Sequence, residues 1–172
     1  MGFRSLLQRG SHAAMVAPRL SMAALRAGVG PAGAAEVLLI SQAALAAAAR
    51  HGHSVPGRTN ALRHFIWQAL LTARHGAEAA RRIAVAQEAG SPAHRDSAVD
   101  EHNNAAGRAW GEAHADALGR LSIRAAVEAL VPVGLEKWDA GELVWVRTPR
   151  SPPRSVLSRS ATQGAGVRPA TR

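Results

Sequence analysis

D-S-A-V-D-E-H-N-N-A-A-G-R-A-W-G, residues 96–111, is the stretch on which the reading of this chain turns. On a helical wheel of about 100° per residue, Asp96, Asp100, Asn103, Asn104, Gly107, Gly111 and His114 fall within roughly 60° of Asp100. Val99, Ala106, Trp110, Ala113 and Ala117 form an adjoining apolar stripe. A solvated helix face carries Lys, Glu and Arg; this one carries short carboxylates, amides and glycines. Each internal Gly costs about 1 kcal/mol relative to Ala. Two things could offset that cost: close packing against another backbone, or a polar site.

Working outward, the flanking segments also read as helices. Residues 34–50, with Val37, Leu38, Ile40, Leu45 and an Ala run, form a first helix. Thr59 and Asn60 are N-cap residue types for a second, which runs to His75 and stops at Gly76. Leu62, Ile66, Ala69 and Ala73 line one side of it, and Trp67 and Leu71 the other, so this helix should be central and largely buried. A third covers 77–89, the fourth is 96–118, and a short fifth, 121–130, should end near Pro132 and Gly134. Residues 142–147, E-L-V-W-V-R, favour a short strand or extended segment. The expected fold is all-α, a compact bundle of about five helices over residues 34–147. A poorly ordered basic lead-in (1–33) and a disordered tail rich in Arg, Pro and Ser (148–172) should flank it.

The chain has 172 residues and no cysteine, which removes disulfides, thiolate catalysis and Cys-based zinc sites. Only 3% of its residues are aromatic, so the core must be built from Ala, Leu, Val and Ile. The net charge of +9 is unevenly placed. Residues 1–35 carry +4 and 147–172 carry +6, both without an acid, while 36–146 sum to −1. A nearly neutral folded part argues against specific nucleic-acid recognition. The Arg-rich tails suit weak, salt-sensitive binding to polyanions. Pro18 and Arg19 interrupt the best candidate for a secretory leader, although the acid-free, Arg-bearing start also looks like an organellar transit peptide. Residues 34–50 are too short and too Ala-rich for a membrane span. No transmembrane segment is expected, and a cytoplasmic location follows.

The candidate site draws on three helices. Asn60, Arg63 and His64 lie in N-A-L-R-H-F-I-W (60–67). Gln87 and Glu88 close the third helix, and Asp100, Asn103, Asn104 and Arg108 lie in D-E-H-N-N-A-A-G-R (100–108). Over residues 58–146 the chain resembles an uncharacterised bacterial helical domain family, a domain of unknown function. The resemblance rests on an N-A-x-R-H-x-x-W helix, a later His-Glu pair and a D-x-H-N-N-x-x-G-R helix. It implies an all-helical fold and no particular activity. Here Gln87 stands where the family has His.

Two functions fit these residues. In the first, the protein is a hydrolase. His64 and Glu88 supply base or metal ligand, and Asp100 a second carboxylate. Asn60, Arg63, Asn103, Asn104 and Arg108 then hold an anionic substrate. The cofactor such a set would take is a divalent metal, whose identity the residues leave open. In the second, the protein is a non-catalytic helical interaction module whose polar cluster braces helices. In that case His64 is a buried imidazole bonded to a carboxylate of the fourth helix, and Arg63 and Arg108 pair internally with Asp100 and Glu88. Asp96 is a natural N-cap; Asp100, inside the helix, has no such explanation. No Gly-rich phosphate loop, G-x-S-x-G elbow or H-E-x-x-H helix is present.

Overall fold

A computed structural model of the chain describes residues 18–88 and 94–145; of residues 88 and 94–97 only the backbone is described. Helix α1 covers residues 18–26. It is followed by α2 (Gly30–Gly52), α3 (Arg58–His75), α4 (Ala77–Glu88), α5 (His94–Ala113), α6 (Ala115–Arg120) and α7 (Ile123–Asp139). The described residues form no strand.

The bundle is all-α, as its pattern predicts, but has seven described helices rather than about five. One addition is α1, which starts well before residue 34 and puts Leu20 and Ala24 into the core. The other is α6, separated from α5 at His114, whose backbone (φ −123°, ψ 22°) leaves helical geometry. Residues 1–17 and the expected tail, 148–172, lie outside the described residues.

Helix α3 is the centre. It packs against α2, α4, α5, α6 and α7. From Ala61 to Thr72 every residue except Arg63 is buried. This is the outcome expected of a helix with apolar residues on opposite sides. Its start differs from expectation. Thr59 and Asn60 lie inside the helix, and the cap is Gly57 at φ +80° with no side-chain hydrogen bond. A Cβ at Gly57 would collide with Trp145, so glycine is required here by both backbone and packing. Gly76, at φ +85°, ends α3 with its N–H on the Thr72 carbonyl.

The last helix runs longer than its sequence suggests. Pro132 and Gly134 read as stop signals, yet α7 continues through both to Asp139. Pro132 removes one hydrogen bond, the one to the Glu128 carbonyl, and both residues are exposed, so water can serve that carbonyl. Gly134 is buried, and a Cβ there would lie 2.8 Å from Leu62 Cδ2. It is a packing residue, not a terminator.

Of the strand or extended segment expected at 142–147, the described part, 142–145, is not a strand but a non-helical strap laid on α5. Asn103 Nδ2 donates to the Val144 carbonyl and Asn103 Oδ1 accepts from the Val144 N–H, both at 2.9 Å. With one side chain satisfying both backbone groups, no partner strand is needed. The His102 ring also bonds the Glu142 carbonyl (2.9 Å), and Leu143 joins the core. Residues 146–147 fall outside the described residues.

Candidate functional site

Three hydrogen bonds join α3 to α5, and each spans the same distance along the chain. Asn60 Nδ2 donates to Asp100 Oδ1 at 2.6 Å. His64 Nδ1 pairs with Asn104 Oδ1 at 2.9 Å. Arg108 NH1 donates to Gln68 Oε1 at 3.2 Å. The partners are 40 residues apart every time and four residues, about one turn, separate successive rungs. A constant offset means that the two helices run parallel and in register. Below the rungs the side chains vanish. A Cβ on Gly107 would sit 2.5 Å from the Phe65 carbonyl oxygen, and one on Gly111 would collide with the Ala69 carbonyl. The glycine-bearing face of residues 96–111 therefore answers both explanations of its composition. Its first half is a polar seam, and its second is a backbone-to-backbone contact.

The seam has an inner and an outer part. Asn103, Asn104 and Gln68 are fully buried, and His64 is 4% exposed. The Asp100 side chain is 17% exposed. Arg63 reaches in along the outer edge. Its NH2 donates to Asn60 Oδ1 (3.0 Å) and lies 2.6 Å from His64 Nε2. A guanidinium can only donate, so the Arg63 bond calls for a lone pair on Nε2, with the hydrogen on Nδ1 where Asn104 accepts it. Asp100 Oδ1 lies 3.3 Å from the same Nε2. Arg63 and Asp100 thus compete for one nitrogen: the cation needs it bare, the carboxylate prefers it protonated. Burial pushes the Asp100 carboxyl up, but hydrogen bonds from His64 and Asn60 and the nearby charges of His64 and Arg63 outweigh it. The net result is a carboxyl below its ordinary range. Burial likewise lowers the Arg63 guanidinium, against the opposing pull of Asp100.

The expected pairing of Arg108 with Glu88 falls on a side chain outside the described residues. The second arm of Arg108 pairs with Glu101 at 2.5 Å. Glu101 and Gln68 are members of the seam that the sequence reading passed over. One turn beyond His64, Gln68 extends the α3 stripe Asn60–His64–Gln68–Thr72; that four-residue spacing was the available signal. Gln68 Nε2, Thr72 Oγ1 and, on α4, Gln87 Oε1 are buried without a hydrogen-bond partner among the described residues. The Glu88 and Asp96 side chains lie outside the described residues. Among those described, no group of three or more His, Asp or Glu side chains is gathered to hold a metal ion. Asn103 faces the 142–145 strap rather than the His64 side of the seam. Trp67 is core (4% exposed), while Trp110 is half-buried, stacked on His114 at 4.0 Å with Lys137 Nζ 5.4 Å from its ring centroid.

The family model described as "Domain of unknown function (DUF6973)" matches residues 30–131, and the chain belongs to this family. The match begins with α2 and ends within α7, so it takes in both sides of the seam. No curated protein and no solved structure matches the chain.

Proposed function

We propose that the chain is a non-catalytic helical interaction module, and that its polar seam is structural. The observation that carries this reading is the constant 40-residue offset of three rungs, with His64 and Asn104 shut away from solvent. A one-turn slip of α5 along α3 would leave buried amide and imidazole groups unpaired, at about 1–3 kcal/mol each. The seam therefore selects one register, and it presents the outer helices at fixed positions for a partner.

The hydrolase reading rests on a different observation: an ionised carboxylate 3.3 Å from an imidazole nitrogen. A general base needs a bare nitrogen within reach of a substrate proton. The bare nitrogen of His64 is covered by Arg63, so the guanidinium would have to swing out onto an anionic substrate first.

Urea denaturation of Asp100→Asn separates the two. The structural reading expects a loss of about 1–3 kcal/mol, because the charge-assisted bond from Asn60 and the attraction of the nearby Arg63 for the carboxylate are weakened together. A carboxylate kept for catalysis is often neutral or stabilising when removed. An Asp100→Asn protein as stable as the parent would overturn the structural reading.

A further inference from the structure

The outer face of α2 differs from every other exposed helix face described here. Pro31, Ala32, Ala35, Leu39, Gln42, Leu45, Ala46 and Ala49 are exposed, and Gln42 is the only polar side chain among them before Arg50. On the wheel they cover an arc of roughly 140°. Leu39 and Leu45, on opposite sides of that arc, are 56% and 51% exposed. By contrast, α4 exposes Glu78, Arg81 and Arg82, and α7 exposes Arg124, Glu128, Glu136 and Asp139. Among the described residues α2 is the one helix long and apolar enough to cross a membrane, but its inner face is built into the core. Such a helix fits a membrane surface better than a membrane interior.

One edge of this face opens into a groove of about 880 Å³ between α2 and α7. Its floor is apolar, with Leu39, Ala43 and Ala46 from α2 and Ile123 and Val127 from α7. Its rim is mainly basic, with Arg50, His51 and Arg124; the one acid there, Glu128, is paired with Arg124 at 3.0 Å. An apolar trough under cationic side chains has the chemistry of an acyl chain beneath an anionic headgroup. The preceding helix, α1, likewise exposes Met22 and Leu25 together with Arg19 and Arg26.

We propose that the outer face of α2, with the α2–α7 groove, is a docking surface for an anionic phospholipid bilayer, on which the domain lies peripherally. Charge complementarity selects this occupant: Arg50 and Arg124 stand on the groove rim, Arg19 and Arg26 are exposed on α1, and the first 35 residues hold no acid. A second copy fits poorly. A single 23-residue helix face offers on the order of 340 Å², against about 800 Å² per partner in a stable interface.

The test is co-sedimentation of the full chain with vesicles of phosphatidylcholine alone, and with vesicles containing about 30% phosphatidylserine. The parent should partition onto the anionic vesicles. The Leu39→Glu/Leu45→Glu double variant should partition at least about tenfold less. Both positions are half-exposed, so its melting temperature should match the parent's. An Arg50→Ala/Arg124→Ala variant, which alters no buried group, should also bind less and provides a second reading should the first variant misfold. No parental binding to anionic vesicles would overturn the proposal. So would binding untouched by both variants, which would assign it to the Arg-rich termini alone. An equal loss of binding to a polynucleotide, or a parental dimer that the double variant dissolves, would assign the face to another partner.

Discussion

Gly107→Ala tests the seam at a point of close backbone approach. In an exposed helix this substitution would stabilise by about 1 kcal/mol. Here the new Cβ would lie 2.5 Å from the Phe65 oxygen, 3.0 Å from Gln68 Cβ and 3.1 Å from the Ala69 nitrogen. Ordinary contact starts near 3.4 Å, so the helices must part by roughly 0.9 Å. A gap of that size forfeits about a quarter to a half of the dispersion energy of each contact it opens. It also stretches the Asn60–Asp100 and His64–Asn104 rungs, whose bonds are each worth about 1 kcal/mol. Setting these losses against the propensity gain leaves a net destabilisation of about 2–3 kcal/mol. Gly119→Ala is the matched control. Its Cβ would meet nothing closer than the Ala73 oxygen at 3.7 Å, so it should stabilise by about 0.5–1 kcal/mol. Urea denaturation followed by circular dichroism measures both. A Gly107→Ala protein at least as stable as the parent would refute the backbone-contact account of this face.

Three further outcomes are expected. Asn103→Ala removes both bonds to Val144 and should release the strap, seen as faster amide exchange at 143–145 with α5 itself unchanged. Burial lowers the pKa of His75, which Glu36 raises and Arg74 lowers further, so below the unfolded value of about 6.5 the unfolded chain binds this proton first. Stability should accordingly fall as pH drops from 6.5 toward the folded value, and His75→Gln should flatten that slope in urea titrations at stepped pH. Removing residues 148–172 should leave helicity and melting temperature intact while lowering net charge by five, because the described core closes at Leu143. Weaker salt dependence of polyanion binding would then assign that binding to the removed arginines.

What could be read from residues alone was the orientation of single helices. The opposed apolar sides of α3 (Leu62, Ile66, Ala69 and Ala73 against Trp67 and Leu71) place it at the centre, and it is there. The Asp, Asn and Gly face of α5 signals an unusual contact, and it makes two. The errors share one cause: residue types that carry two meanings. Gly134 and Pro132 look like terminators, but one is small because Leu62 and Phe65 press on it and the other costs little at an exposed site. Thr59 and Asn60 look like caps, yet Trp145 and a positive φ make Gly57 the first residue outside the helix. The role of Asn103 was hidden because its partner is a backbone 41 residues away. A wheel gives the direction of a side chain, not what stands opposite it, so the register of α3 on α5 had no signal in the sequence.

The parallel arrangement of α3 and α5 also bears on how the chain folds. Antiparallel neighbours can zip from a short turn, but each rung here closes a 40-residue loop at an entropic cost of about 3 kcal/mol. That cost falls on the first rung alone, since the others follow one turn at a time. The pairing should therefore form late and all at once, after α4 has carried the chain back. Until then the most deeply buried helix of the molecule waits with its α5 face uncovered, and a ribosome must release more than 100 residues before that partner arrives. Slow, single-step refolding, with aggregation competing at high protein concentration, is the kinetic signature this topology imposes.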